Sequence, residues 1–517
     1  LIGQPYQVAI VSSIIHLHES DNVGVCKAAL PEGITLIENN LTLRNAIPAM
    51  HKVALVVIPK GEAIVKYGQV IGFASKDIAA GDHVHVHNCE MGEEFERDYG
   101  FCRNAVPTDY VLPEQQATFK GYRRANGKVG TRNYLGILTT VNCSATVAKA
   151  IANHFTWSGE LEQYPNIDGV FACTHETGCG MRSEGVGYEV LRRTFNGYAR
   201  QPNFGGVLMI GLGCETMQIA RVMQESGLSD SNTFRAYNIQ ETGGTRLSIE
   251  KGIAAVREML PLVNACERET VPASELVLAM QCGGSDAFSG ITANPALGIA
   301  ADILVRHGGT VILSETPEIF GAEHLLTQRA SSPEVAEKLL DCIKWWDDYT
   351  ARNGFELNNN PSPGNKAGGL TTIMEKSLGA QAKSGSTRLN GTFWYGEEIT
   401  AKGLVFMDSP GFDPVSATGQ VASGANIMCF TTGRGSAFGG KPVPCMKLSS
   451  NTPLFERMKE DIDLNCGGIL DGEYSLQQSG EQIFAAVLAV ASGEKTKSEL
   501  LGYGDNEFTP WKIGAVV

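Results

Sequence analysis

Four times along the chain a short apolar run ends in a cysteine set among glycines or small polar residues: LGILTTVNCS at Cys143, DGVFACTHETGCG at Cys173 and Cys179, GVLMIGLGCE at Cys214, and LVLAMQCGGSD at Cys282. Unbroken Val, Ile and Leu runs suit strands buried on both faces, and such strands belong to parallel sheets covered by helices. Helical stretches separate the runs. Strands are expected over 135–141, 170–173, 206–210 and 234–239, and again over 277–280, 310–313, 403–407 and 426–431, with helices such as 145–155 and 333–346. Ligands of open α/β sheets settle beyond the carboxyl ends of the strands. The cysteine turns, with His175, Glu215 and Asp286 beside them, are therefore where chemistry is expected.

A chain of 517 residues exceeds one hydrophobic core. Residues 1–92 read as a small all-β domain, 93–118 as a linker, 119–268 as one α/β domain and 269–517 as a second. The linker segment is acidic, proline-containing and without periodicity. A net charge of -14 argues against nucleic acid or an anionic membrane as partner. No apolar run reaches the roughly 18 residues of a membrane span. The start, LIGQPYQVAIVSSI, lacks the basic and small-residue pattern of a secretory signal. Thirteen scattered cysteines are unlike a disulfide framework, so reduced thiols in a cytoplasmic protein are expected.

Several motifs offer chemistry. Gly211-Leu212-Gly213-Cys214-Glu215 follows a strand but lacks the third glycine of a dinucleotide fingerprint. Cys282-Gly283-Gly284-Ser285-Asp286 combines close backbone approach with polar side chains, and Asn294 follows at the start of a helix. The segment 358–369, NNNPSPGNKAGG, reads as a long polar loop presenting Lys366, a candidate carboxylate holder or base. Arg434, between glycines at a strand end, suits bidentate carboxylate binding. His83, His85 and His87 alternate, so on one strand they share a face and can hold a metal; His16 and His18 form a similar pair. Thiolates drawn from Cys143, Cys179, Cys214 and Cys282 would select iron, zinc or an iron–sulfur centre. The alternative is that each cysteine is a small packed hydrophobe.

At GYRRANGKVGTRN (121–133), CGGSDAFSGITANP (282–295), PSPGNKAGG (361–369) and TGRG (432–435) the chain resembles the altronate/galactarate dehydratase family. HESDNV (18–23) and HKVAL (51–55) are similar to the small β-clip SAF domain, so the likeness covers nearly the whole length. It implies removal of water from a sugar acid to give a 2-keto-3-deoxy acid, with ferrous iron, Mn2+ or a related divalent metal. The expected assembly is a homo-oligomer, a dimer. The motifs carry over His175, Cys179, Glu215, Cys282, Asp286, Asn294, Asn365, Lys366 and Arg434. His175 and Lys366 are the expected acid/base pair, and Glu215 and Asp286 are expected on metal or sugar hydroxyls. Ser285, Asn294, Asn365 and Arg434 are expected to bind substrate. Expected metal ligands are Cys143, Cys179, Cys214 and Cys282, together with His18 and His85. HVHVHN (83–88) and FGAEHLL (320–326) look like the altronate enzymes, whereas VPASELVLAMQCGGSDAFSG (271–290) looks like the galactarate enzymes. Elimination from another α-hydroxy acid such as sulfolactate, and sugar-acid binding without turnover, are the competing readings.

Overall fold

A computed structural model describes residues 13–36, 40–92 and 97–514. Positions 1–12, which hold most of the start read as non-secretory, positions 93–96 of the expected linker, and the final 515–517 lie outside those residues. The N-terminal part is all β. One antiparallel sheet orders Ile14–Ile15, Val23–Cys26, Lys52–Ala54 and His83–Val84; a second orders Ala63–Lys66, Gln69–Ala74 and Cys89–Glu90. The segment 97–118 lies as a strap on the C-terminal domain. Cys102 N donates to Thr327 O (3.1 Å), Val111 N to Arg306 O (2.8 Å), and Arg97 pairs with Glu323 (2.5 Å).

The second domain is a parallel sheet ordered Gly169–Cys173, Tyr134–Thr139, Phe204–Gly211, Phe234–Asn238. Leu135, Ile137 and Leu208 meet helices Ala145–Trp157 and Thr245–Asn264, whereas Leu138, Val207 and Met209 face the opposite cluster with Leu191 and Phe195. The C-terminal domain holds seven parallel strands ordered Leu389–Phe393, Gly403–Met407, Thr310–Leu313, Val277–Cys282, Ile427–Thr432, Cys445–Ser449, Leu464–Asn465. Alternate residues of its strands enter different clusters, Ala279 and Ile312 on one face, Leu278 and Val311 on the other. That double burial is why the sequence shows unbroken apolar runs.

Helix Ala293–Arg306 covers one face through Ala296, Leu297, Ala300, Ala301 and Leu304, an i, i+3, i+4 stripe. Gly298 lies to the side of that stripe, where a Cβ would stand 2.3 Å from Ala382 O. The short turn Ala382–Ser384 seats against the helix at that point and carries Lys383 under the ends of the strands. Two expectations change. The helix from 333 runs to Arg352, since Trp346 and Thr350 continue its buried face. The polar loop 358–369 contains a short helix, Pro363–Ala367, started by Pro363 and by a Ser362–Asn365 capping box at its N-terminus. Among the described residues no helix is long and apolar enough to cross a membrane.

Candidate functional site

The motif loops at the carboxyl end of the large sheet converge on Asp286. Its buried carboxylate accepts from Ser289 N (2.8 Å) and Oγ (2.9 Å), Ser450 Oγ (2.9 Å) and Asn451 Nδ2 (3.0 Å). Burial raises its pKa, and the Ser289, Ser450 and Asn451 hydrogen bonds oppose that rise. Gly433 is fitted to the same carboxylate, which a Cβ would meet at 2.2 Å. Gly284 O accepts from Arg434 N (2.8 Å), and Asn365 Nδ2 donates to Ser285 O (2.9 Å). Asn294 bridges Gly379 O (2.9 Å) and Thr431 Oγ1 (2.6 Å). Asp286, Asn294 and Asn365 are thus engaged in tying loops together, and Ser285 contributes its carbonyl. Lys366, half-buried, and Arg434, exposed, have no side-chain hydrogen bond or ion pair among the described residues. They are the cations this scaffold presents.

Behind the first loop lies a buried group that sequence reasoning missed. Lys383 Nζ stands 2.7 Å from Cys282 Sγ and 3.3 Å from Glu315, and Lys376 Nζ stands 2.6 Å from Glu318. Glu315 follows the strand Thr310–Leu313 in a left-handed conformation (φ 71°), held by its amide donating to Ser409 Oγ (3.0 Å). Burial, then the neighbouring Glu318 carboxylate, pushes Glu315 up to about 8; burial and Glu318 likewise push Asp413 up to about 7. Burial lifts the Cys282 thiol to about 12, and the adjacent Lys383 ammonium opposes that rise. The detectable signal was the polar SETPE tail on an apolar run, the pattern already noted at Cys282.

The β domain docks on this scaffold through charge. Glu375 accepts from Lys52 (2.8 Å) and Lys66 (2.9 Å), and all three side chains are at most 1% exposed. Docking brings His51 to the Lys366 loop, with Nε2 3.3 Å from Ala367 O. His51 Nδ1 lies 2.9 Å from His83 Nε2, and the His85 ring stands 4.5 Å from that of His51. His51, His83 and His85 each place a ring nitrogen within 4.8 Å of the others, and buried His85 Nδ1 has no hydrogen-bond partner. Burial and neighbouring rings depress His83 to about 4; burial, Lys52 and those rings depress His85 to about 3. Neutral imidazoles with an unpartnered buried nitrogen fit a borderline divalent ion such as ferrous iron. The Cys282–Glu315–Glu318 group also has three donors within 4.8 Å, but lysine ammoniums already contact them.

The expected three-histidine strand is corrected. Pairing stops at Val84 because Asn88 caps the next turn, accepting from His85 N (2.9 Å) and donating to His83 O (3.0 Å). His83 and His85 stay together while His87 is exposed, and His51 supplies the third ring. His18 is not part of the group. It bonds Ser20 (2.7 Å) and lines a separate cavity of about 900 Å³ between the β and C-terminal domains, with Tyr67, Arg306 and Arg329.

His175 and Glu215 sit in the second domain and share no hydrogen bond with the Lys366, Asp286 and Arg434 loops among the described residues. His175 Nε2 contacts Thr139 O (2.8 Å), Nδ1 accepts from Thr177 N (3.2 Å), and burial lowers its pKa to about 4. Both nitrogens of this neutral ring hold a turn. Glu215 accepts from Thr140 Oγ1 (2.7 Å), Leu212 N (3.1 Å) and Gly213 N (2.6 Å). Cys143, Cys179 and Cys214 are exposed at this domain's rim, apart from buried Cys282 in the C-terminal domain.

Comparison with known proteins matches three family models in order: the altronate/galactarate dehydratase SAF domain over 12–92, the D-galactarate dehydratase/altronate hydrolase second domain over 121–264, and the D-galactarate/altronate dehydratase C-terminal domain over 273–516. Altronate dehydratase of Bacillus subtilis (strain 168) is 36% identical over 491 residues, 95% of this chain and 97% of the relative. Galactarate dehydratase (L-threo-forming) of Escherichia coli (strain K12) is 40% identical over 500 residues, 93% of each chain. Altronate dehydratase of the same Escherichia coli strain is 37% identical over 489 residues, 94% of this chain and 96% of the relative.

Proposed function

This chain belongs to the altronate/galactarate dehydratase family, and from that membership and the geometry above we propose that it removes water from altronate or galactarate to leave a 2-keto-3-deoxy acid. The observation that carries the reading is His51 Nε2 lying 3.3 Å from Ala367 O, which sets a metal-capable histidine group beside Lys366. His51, His83 and His85 would hold a divalent ion, Fe2+ or Mn2+, which when bound supplies Lewis acidity toward a substrate oxygen. The other steps fall to this chain's own groups. Arg434 offers a planar fork to the substrate carboxylate, whose charge grows as the α-proton leaves. Lys366 as an amine takes that proton. As the resulting ammonium it returns a proton to the departing β-hydroxyl, so the Cα–H and Cβ–O bonds break and water leaves without a second acid. The enol then tautomerises to the ketone. Asp286 serves as the scaffold that sets the two cations.

The test is turnover of altronate and of galactarate by anaerobically prepared protein with ferrous iron, followed as keto-deoxy acid. Activity on one substrate is expected, abolished by chelator and reduced on the order of 100-fold or more in His85→Ala, at least as much as loss of an outer partner of a metal site. Lys366→Met should bind metal yet not exchange the substrate α-proton in D2O. Metal-loaded protein that leaves both acids untouched would sink the reading.

A further inference from the structure

All thirteen cysteines are free, and only Cys143, Cys179 and Cys214 are exposed. The fold sets these three on one rim. Cys143 lies beyond the central strand Tyr134–Thr139, Cys179 beyond the neighbour Gly169–Cys173, and Cys214 beyond the neighbour on the other side, Phe204–Gly211. Their turns are stitched together pairwise. Asn142 N donates to Thr177 O (3.1 Å), Met217 N to Gly178 O (3.1 Å), and Thr140 Oγ1 to Glu215 (2.7 Å). Gly178, at φ +103°, brings the second turn so close to the first that a Cβ would stand 2.0 Å from Thr140 O. The thiols are therefore carried on one interlocked frame. The Gln240 amide donates to Cys214 Sγ (3.4 Å), the kind of contact that stabilises sulfur charge.

We infer that Cys143, Cys179 and Cys214 bind an iron–sulfur cluster through three thiolates, with the remaining iron turned to solvent and open to a small oxygen ligand. Spacing separates this from a single ion. Tetrahedral thiolates around one zinc, at bonds of about 2.3 Å, stand roughly 3.8 Å apart. The compact donor groups within 4.8 Å among the described residues are the histidine set and the Cys282 set, and the three rim thiols do not form one. A cluster of several irons holds its thiolates farther apart than one ion does. Cys282 does not complete the set, because it lies buried against Lys383 in the C-terminal domain. The centre is separate from the histidine group of the β domain, so the two sites can be lost independently.

The test uses the full chain reconstituted anaerobically with ferrous iron and sulfide. Near-equal iron and acid-labile sulfide are expected, with a broad absorption at roughly 400 nm that bleaches on reduction. Cys143→Ser, Cys179→Ser and Cys214→Ser should each lose most of that absorption, and Cys266→Ser and His85→Ala should keep it. Should a serine variant fail to fold, alkylation of the unmutated protein decides: the three rim thiols should be protected when reconstituted and reactive after stripping. Iron without sulfide, zinc in place of iron, or equal alkylation in both states would overturn the inference.

Discussion

The histidines of the β domain and the Cys282–Glu315–Glu318 group of the large sheet each gather three donors within 4.8 Å, but only the second is furnished with its own cations. Lys383 and Lys376 already contact the sulfur and carboxylates there, and both lysines are buried. Among the described residues the histidine group has no such charge at hydrogen-bond distance and keeps one buried nitrogen without a partner. Donor geometry alone therefore does not define a metal site. What distinguishes the two is whether the protein has neutralised the donors with its own side chains, since a buried charge is compensated one way or another.

The largest effect is expected at the ion triad that unites the two regions. Glu375→Ala leaves Lys52 and Lys66 buried without their carboxylate, at a cost of about 3–5 kcal/mol; denaturant unfolding measures it, and a change under 1 kcal/mol would deny the triad its role. Lys383→Met attacks the difference directly. In a His85→Ala background it should lower stability by about 3 kcal/mol and make Zn2+ or Mn2+ raise the melting midpoint, which neither ion does with Lys383 in place. Glu315→Gln sharpens the comparison through pH. Glu315 is raised from 4.5 to about 8, so the native state keeps a proton that the unfolded chain has released, and stability falls as pH rises across that window. The glutamine variant should lose this slope in pH-dependent unfolding. His18→Ala should be smallest, within about 0.5 kcal/mol and with unaltered metal affinity, because among the described residues its ring bonds Ser20 alone and its bond to Asp21 comes from the backbone amide.

The parallel strands were legible because double burial writes itself as an unbroken apolar run. The expected 310–313 and 403–407 match Thr310–Leu313 and Gly403–Met407, and the others shift by a few residues at most. Cys445–Ser449 escaped notice because Lys447 interrupts it. That lysine is wholly buried and donates to Phe438 O (3.0 Å), which no local pattern announces. The loops around Asp286 were legible as motifs, but their division of labour was not. Asn294 and Asn365 look like ligand groups in sequence, and only three-dimensional contacts reveal them as ties between loops. His51 and Glu315 were missed because their partners stand tens to hundreds of residues away.

The docking triad also has a temporal consequence. Lys66 precedes Glu375 by 309 positions. At ribosomal rates of roughly 5–20 residues per second, about 15–60 s pass before the carboxylate is even synthesised. Throughout that interval the nascent β domain carries Lys52 and Lys66 without the acid that later buries them, so its lysine-bearing face stays hydrated and undocked. The histidine rings, all carried by the β domain, therefore meet the Lys366 loop only late in synthesis.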